Sequence, residues 1–149
     1  MKWLLIIGAI VLVFLVASAG RRAKQRAAVR GLREHFPHIA RLRLVAACPG
    51  LNGLLDEASL RILFDWMLIE LYRRTGTSTF GELMRWHIEN QGRADDLMAA
   101  VTRDAVGRLP APVLAEIDDC GGRSMVAVII DESLVEAGRR TGPVASRYV

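Results

Sequence analysis

The segment from Trp3 to Ala19 contains no charged residue, and nothing in the rest of the 149-residue chain repeats it. Prolines number only five, low-complexity tracts are missing, and 52% of the residues are apolar. This composition excludes a chain too polar to bury a core and predicts one domain beyond the N-terminal segment. Only two cysteines occur, Cys48 and Cys120. They belong to no C-x-x-C or Cys/His spacing, so neither a structural zinc site nor a dithiol redox motif is indicated.

Catalytic patterns are equally scarce. Gly121-Gly122 lacks the strand, glycine spacing and lysine of a phosphate loop. In Asp118-Asp119-Cys120-Gly121-Gly122 the neighbouring carboxylates would raise the thiol pKa, opposite to what a nucleophile needs, so the stretch is read as a Gly-Gly turn beside the thiol. Glu34-His35-Phe36-Pro37-His38 sets two imidazoles three apart beside a carboxylate, but it departs from H-E-x-x-H spacing and contains a proline. These histidines are expected to be exposed or interfacial. His87, near Glu89, is read as a core histidine rather than a general base. The chain is therefore expected to be non-enzymatic, with no cofactor and no metal.

Charge is divided unevenly. Residues 1–43 hold nine Lys or Arg against Glu34 alone, a formal +8, whereas residues 44–149 hold eleven arginines against fifteen acids, a formal −4. A nucleic-acid-binding domain would carry its cations on the folded body, so no nucleic-acid partner is expected. Here they follow the apolar run directly, which points to a membrane.

Trp3 to Ala19 makes a helix of about 25 Å, the short end of a membrane span. Two outcomes compete. Ala17-Ser18-Ala19 fits the small-x-small rule of a cleaved signal, releasing a chain that begins at Gly20. Arg21, Arg22, Lys24, Arg26, Arg30 and Arg33 instead favour an uncleaved anchor with the C-terminal domain in the cytoplasm, because positive flanks tend to stay inside. The anchor over residues 1–20 is preferred, and these six cations are assigned to anionic lipid headgroups. Free thiols at Cys48 and Cys120 suit the cytoplasmic placement; a Cys48–Cys120 disulfide suits export.

Residues 21–36 are rich in Arg and Ala and predict a basic juxtamembrane helix ending at Pro37. The domain proper is expected over 37–140. Pro37 to Cys48 is read as a helix closed by Pro49-Gly50, with a strand over 41–46 as the alternative. Residues 56–74 carry the clearest pattern: Asp56 as cap, Leu60, Leu63, Phe64, Met67, Leu68 and Leu71 on one face, and Gly76 as stop. Ile62, Trp66 and Ile69 widen that face and predict a central helix with neighbours on two sides. Glu57, Arg61 and Asp65 form an i, i+4 ladder. Thr79-Phe80-Gly81-Glu82 is a capping box, opening a helix to about Gln91 with Gly92 as stop.

Another helix follows from about Ala94 to Leu109, with Leu97, Met98, Val101 and Ala105 inward, then a short one from Pro112. Residues 124–140 suit a helix capped by Ser124, with Val126, Ile130, Leu134 and Ala137 aligned. A strand over 125–130, paired with 41–46 in an α+β domain, is the alternative. All-α is preferred: an N-terminal transmembrane helix, the basic helix, a compact bundle of about four to five helices, and a flexible tail over 141–149. In function this predicts a membrane-anchored interaction or regulatory module with a membrane-associated protein partner, or else an exported small binding domain.

Overall fold

The computed structural model describes the backbone of residues 2–141 and the side chains of residues 20–141. Among them the chain is all-helical: α1 (Lys2–Ala47), a 3-10 turn (Pro49–Gly53), α2 (Glu57–Thr75), α3 (Phe80–Glu89), α4 (Gln91–Val106), α5 (Ala111–Cys120) and α6 (Arg123–Arg140). The two-stranded alternative is overturned, since 41–46 lie within α1 and 125–130 within α6. R-L-R-L alternates like a strand, but only Leu44 of that stretch is fully buried and Leu42 is exposed, as on a one-sided helix. Among the residues whose side chains are described, no helix is long and apolar enough to cross a membrane. The apolar run at 3–19 and the tail beyond Thr141 lie outside them.

Pro37 does not break the chain: α1 runs through it. A proline in a helix interior forfeits one hydrogen bond and crowds the carbonyl four residues back, at a cost of about 3 kcal/mol. Packing offsets this, because Phe36, Pro37, Ile39 and Ala40 are all buried. Phe36 meets Phe64 of α2 with ring centroids 5.8 Å apart. The core also reaches back into the predicted juxtamembrane arm, where Ala28 is buried and Leu32 packs on the cluster. The helix end expected at Pro37 is therefore corrected: the last five turns or so of α1 are one continuous wall of the bundle.

Both long partners of α1 run antiparallel to it. On one side, α2 is registered by Arg33 with Asp65 and by His38 with Glu57, each at 2.8 Å. These pairs replace the predicted ladder along α2. On the other side α6 returns with Glu132 near Arg43 at 3.8 Å, Gly138 beside Leu32 and Thr141 against Gly31. Any Cβ at Gly31 would collide with the Thr141 side chain, so the glycine that weakens the helix permits this close approach.

Both ends of α2 and the start of α3 are made as their sequences predict. Asp56 accepts the Ser59 amide at 2.7 Å, and Gly76 closes α2 at φ 67°, a left-handed conformation suited to glycine. Thr79 and Glu82 complete the capping box. Two boundaries are misplaced. Gly92, expected as a stop, falls inside the first turn of α4, and α6 begins at Arg123 after Gly122 rather than at Ser124. Gly92 lacks the positive φ with which Gly76 closes α2.

Replacing Pro37 with Ala restores a backbone hydrogen bond and loses a buried ring. The gain of about 3 kcal/mol exceeds the roughly 1 to 2 kcal/mol of lost burial, so Pro37→Ala is expected to raise the unfolding midpoint in urea, with the m-value unchanged.

Candidate functional site

The least satisfied apolar surface lies on α2. Leu60, Leu63, Phe64 and Met67 fill the core as their spacing predicts, while Leu68 and Leu71 flank it. Ile62 and Ile69 do not join them: they are 69% and 65% exposed. α2 has the expected neighbours on two sides, α1 and α4, but neither covers this flank. With half-buried Trp66 between them, these residues recur at i, i+4 and i+7 and form an outward apolar stripe.

Trp66 is not wholly core, as its sequence context suggested. The Arg108 guanidinium stacks over its ring, 4.4 Å from the centroid, and Ser59, Ile62, Leu63, Leu109 and Pro110 complete a shallow groove around the pair. Arg108 follows α4, and its placement depends on the turn that ends with Leu109 buried before Pro110. Scattered apolar residues are ordinary on a surface, but a stripe beside a groove with one oriented cation is the pattern of a binding face. Nothing in the spacing of Arg108 announces this stack; only tertiary packing brings it to Trp66.

Below the stripe, at the end of α2, Glu70 accepts hydrogen bonds from Arg73 and Arg74, and Arg74 also reaches Asp104 of α4. These cations hold the Glu70 carboxyl down to about 2, well below the usual range. The network joins α2 to α4, and Glu70 stays ionised through ordinary pH.

The six predicted headgroup cations divide. Arg21, Arg22, Lys24, Arg26 and Arg30 are exposed and make no ion pair among the described residues. Arg33 is instead held by both carboxylate oxygens of Asp65 at 2.8 Å and belongs to the bundle. Arg22, Arg26, Arg30 and Arg33 recur at i, i+4, i+8 and i+11, so the arm presents one cationic stripe beside its packed face.

Cys48 and Cys120, seventy-two residues apart, meet where α1 ends and α5 ends. Their Cα atoms are 5.8 Å apart, inside the range of about 4.4 to 6.8 Å that a disulfide spans without backbone movement. Cys48 is fully buried. The turn after Cys120 is as expected, with Arg123 paired to Asp118 across it.

The other candidates are not brought together. His35 is exposed, and His38 engages Glu57 through Nδ1. His87 is half-buried while Glu89 is exposed. No group of three or more His, Cys, Asp or Glu able to hold a metal occurs among the described residues. A buried polar contact joins α4 to α6 without any pattern to announce it: the fully buried Thr102 hydroxyl of α4 donates to Asp131 Oδ1 of α6 at 2.7 Å. Thr102 follows Val101 on the apolar face, and that position is its only signal.

Comparison with protein-family models, with curated proteins and with solved structures finds no match for this chain.

Burial pushes the Asp131 carboxyl above its ordinary range, and the Thr102 hydrogen bond only partly opposes it. The folded protein thus holds this proton to higher pH than the unfolded chain, and stability falls as pH rises from the unfolded pKa to the folded one. Asp131→Asn keeps an oxygen for Thr102 and removes the charge. It is expected to raise the thermal midpoint at pH 7 relative to wild type and to abolish that decline in a pH series. A lower midpoint at pH 7 would mean that the carboxylate itself is favourable there.

Proposed function

We propose that the chain is a membrane-anchored, non-enzymatic interaction module: α1 holds the bundle at the cytoplasmic face, and the outer face of α2 binds a membrane-associated protein. The observation that carries this reading is the exposed Ile62–Trp66–Ile69 stripe with Arg108 over its tryptophan. Burying two isoleucines and the free part of an indole against a partner removes apolar area from water, at about 25 cal/mol per Å². An aromatic anchor beside an arginine is the composition that concentrates binding energy at interfaces. The unpaired cations that follow the apolar run support the cytoplasmic placement.

A photo-crosslinking residue placed at position 62 or 69 tests this in intact cells. The expected product is one discrete adduct to a membrane protein from each position. It should be absent from the exposed control position Val135 on α6, and should be lost when residues 1–20 are deleted from a chain that still folds. No adduct at 62 or 69, or equal adducts after the deletion, would refute the reading.

The meeting of Cys48 and Cys120 favours a second reading: a domain exported to an oxidising compartment, released after Ala19 and closed by a Cys48–Cys120 disulfide. It predicts a mature chain that begins at Gly20 in the intact-mass spectrum. Its cysteines should resist alkylation until reduced, and reduction should lower stability by about 2 to 5 kcal/mol. Full-length protein from its native compartment with two free thiols would exclude it.

A further inference from the structure

We infer that the corner joining α2 to α3, residues 73–85, is a second membrane contact, a surface for anionic lipid headgroups that works together with the basic arm; this rests on the proposed anchoring by residues 3–19.

The antiparallel register sets its height. Glu57 stands opposite His38 and Asp65 opposite Arg33, so α2 descends toward the N-terminal end of α1 as the sequence advances. Ten residues beyond Asp65, at the same rise per residue, Thr75 comes level with about residue 23 of α1. A separate contact agrees: Gly81, in the first turn of α3, packs so closely on Gln25 that a Cβ there would collide with the glutamine amide. Gln25 lies only about 9 Å along the helix axis from Ala19, where the apolar run ends. The headgroup region is about 5 to 7 Å deep on each side of a bilayer. A corner at that height, carrying arginine side chains several ångströms long, reaches it.

Its chemistry suits phosphate. Arg85 is exposed, and Arg73, 68% exposed although it also donates to Glu70, stands with it at the same end as Arg21, Arg22, Lys24 and Arg26. Between them Ser78 and Thr79 are exposed. The acids at this end are mostly engaged: Glu70 is held by Arg73 and Arg74, and Glu82 accepts the backbone amides of Ser78 and Thr79. Glu89, at the far end of α3, is exposed. With two separate lines of contact, the arm and the corner, the bundle cannot swivel about α1 as it would on the arm alone.

The full chain, reconstituted in vesicles and carrying an environment-sensitive fluorophore at Ser78→Cys, tests this with headgroup spin-labelled lipid as quencher. Ser124→Cys is the control, because α6 begins near the Cys48 end of α1, about 40 Å from Gly20. In vesicles containing phosphatidylglycerol, position 78 is expected to be quenched about threefold more than position 124, which stands well beyond the headgroup layer. Adding Arg73→Glu and Arg85→Glu should bring quenching at 78 down to its value in phosphatidylcholine alone. Chain that stays with the vesicles through an alkaline wash but shows equal quenching at 78 and 124 would overturn the corner contact and leave the anchor standing. Chain that the wash releases would overturn the anchor, and the corner contact with it.

Discussion

The structure depends on the packing of one stretch of α1, from Ala28 to Cys48, between α2 and α6. Phe36, Ala40, Leu44 and Cys48 are completely buried there, and Phe36 sits against Phe64 at mid-height. Neither α2 nor α6 could present a buried face without this shared wall, since each supplies only one side of the core. Pro37 lies in the middle of it, where a break would separate the apolar N-terminal run from the bundle. Its cost is borne because helices on both sides hold the flanking turns, and a lone solvated arm would have had no such support. The apolar run and the bundle are thus ends of one helix rather than two parts joined by a hinge.

Polar contacts set the alignment of these helices more than they supply stability. Arg33 with Asp65 and His38 with Glu57 are largely exposed, and such pairs contribute about 0 to 1 kcal/mol each. Their effect is on register: a slide of α2 by one turn would separate both pairs at once. Thr102 with Asp131 acts similarly between α4 and α6, in a less hydrated place. There an acid kept partly from water costs stability unless protonated, so this contact fixes an alignment at some expense.

Much of the fold is legible in the sequence, and its failures have one origin. Local signals were read well: Asp56, Gly76 and the Thr79–Glu82 box each bind backbone groups within three or four residues, so the chain segment alone specifies them. Partnership was not. Spacing pairs Asp65 with Arg61, but Arg33, thirty-two residues away, holds it. The pattern of Ile62 and Ile69 implies a cover, yet periodicity says which residues share a face and nothing of what covers it. The backbone chemistry of Pro37 favours a break, and burial outweighs it. The apolar stripe was visible as a pattern, whereas the Arg108 that completes the candidate site comes from a turn forty residues downstream.

The same limit bears on why the α2 face would remain uncovered. Among the described residues α2 has α1 on one flank, α4 on another and the core beneath, and its Ile62–Trp66–Ile69 side is left uncovered. Two isoleucines exposed beyond 60% add nothing to folding and promote non-specific association, so they are expected to serve a contact outside the chain. A patch of this size supports only modest affinity by itself. Anchoring changes that: a module confined to the bilayer meets membrane partners at a high effective concentration, and a weak surface then suffices. If α1 anchors the bundle as proposed, its continuity adds orientation, because the stripe would then stand beside the helix axis at a fixed height above the headgroups. On the proposed reading, then, the anchor and the exposed face are parts of one design, in which the continuous helix converts a small apolar patch into an occupied site.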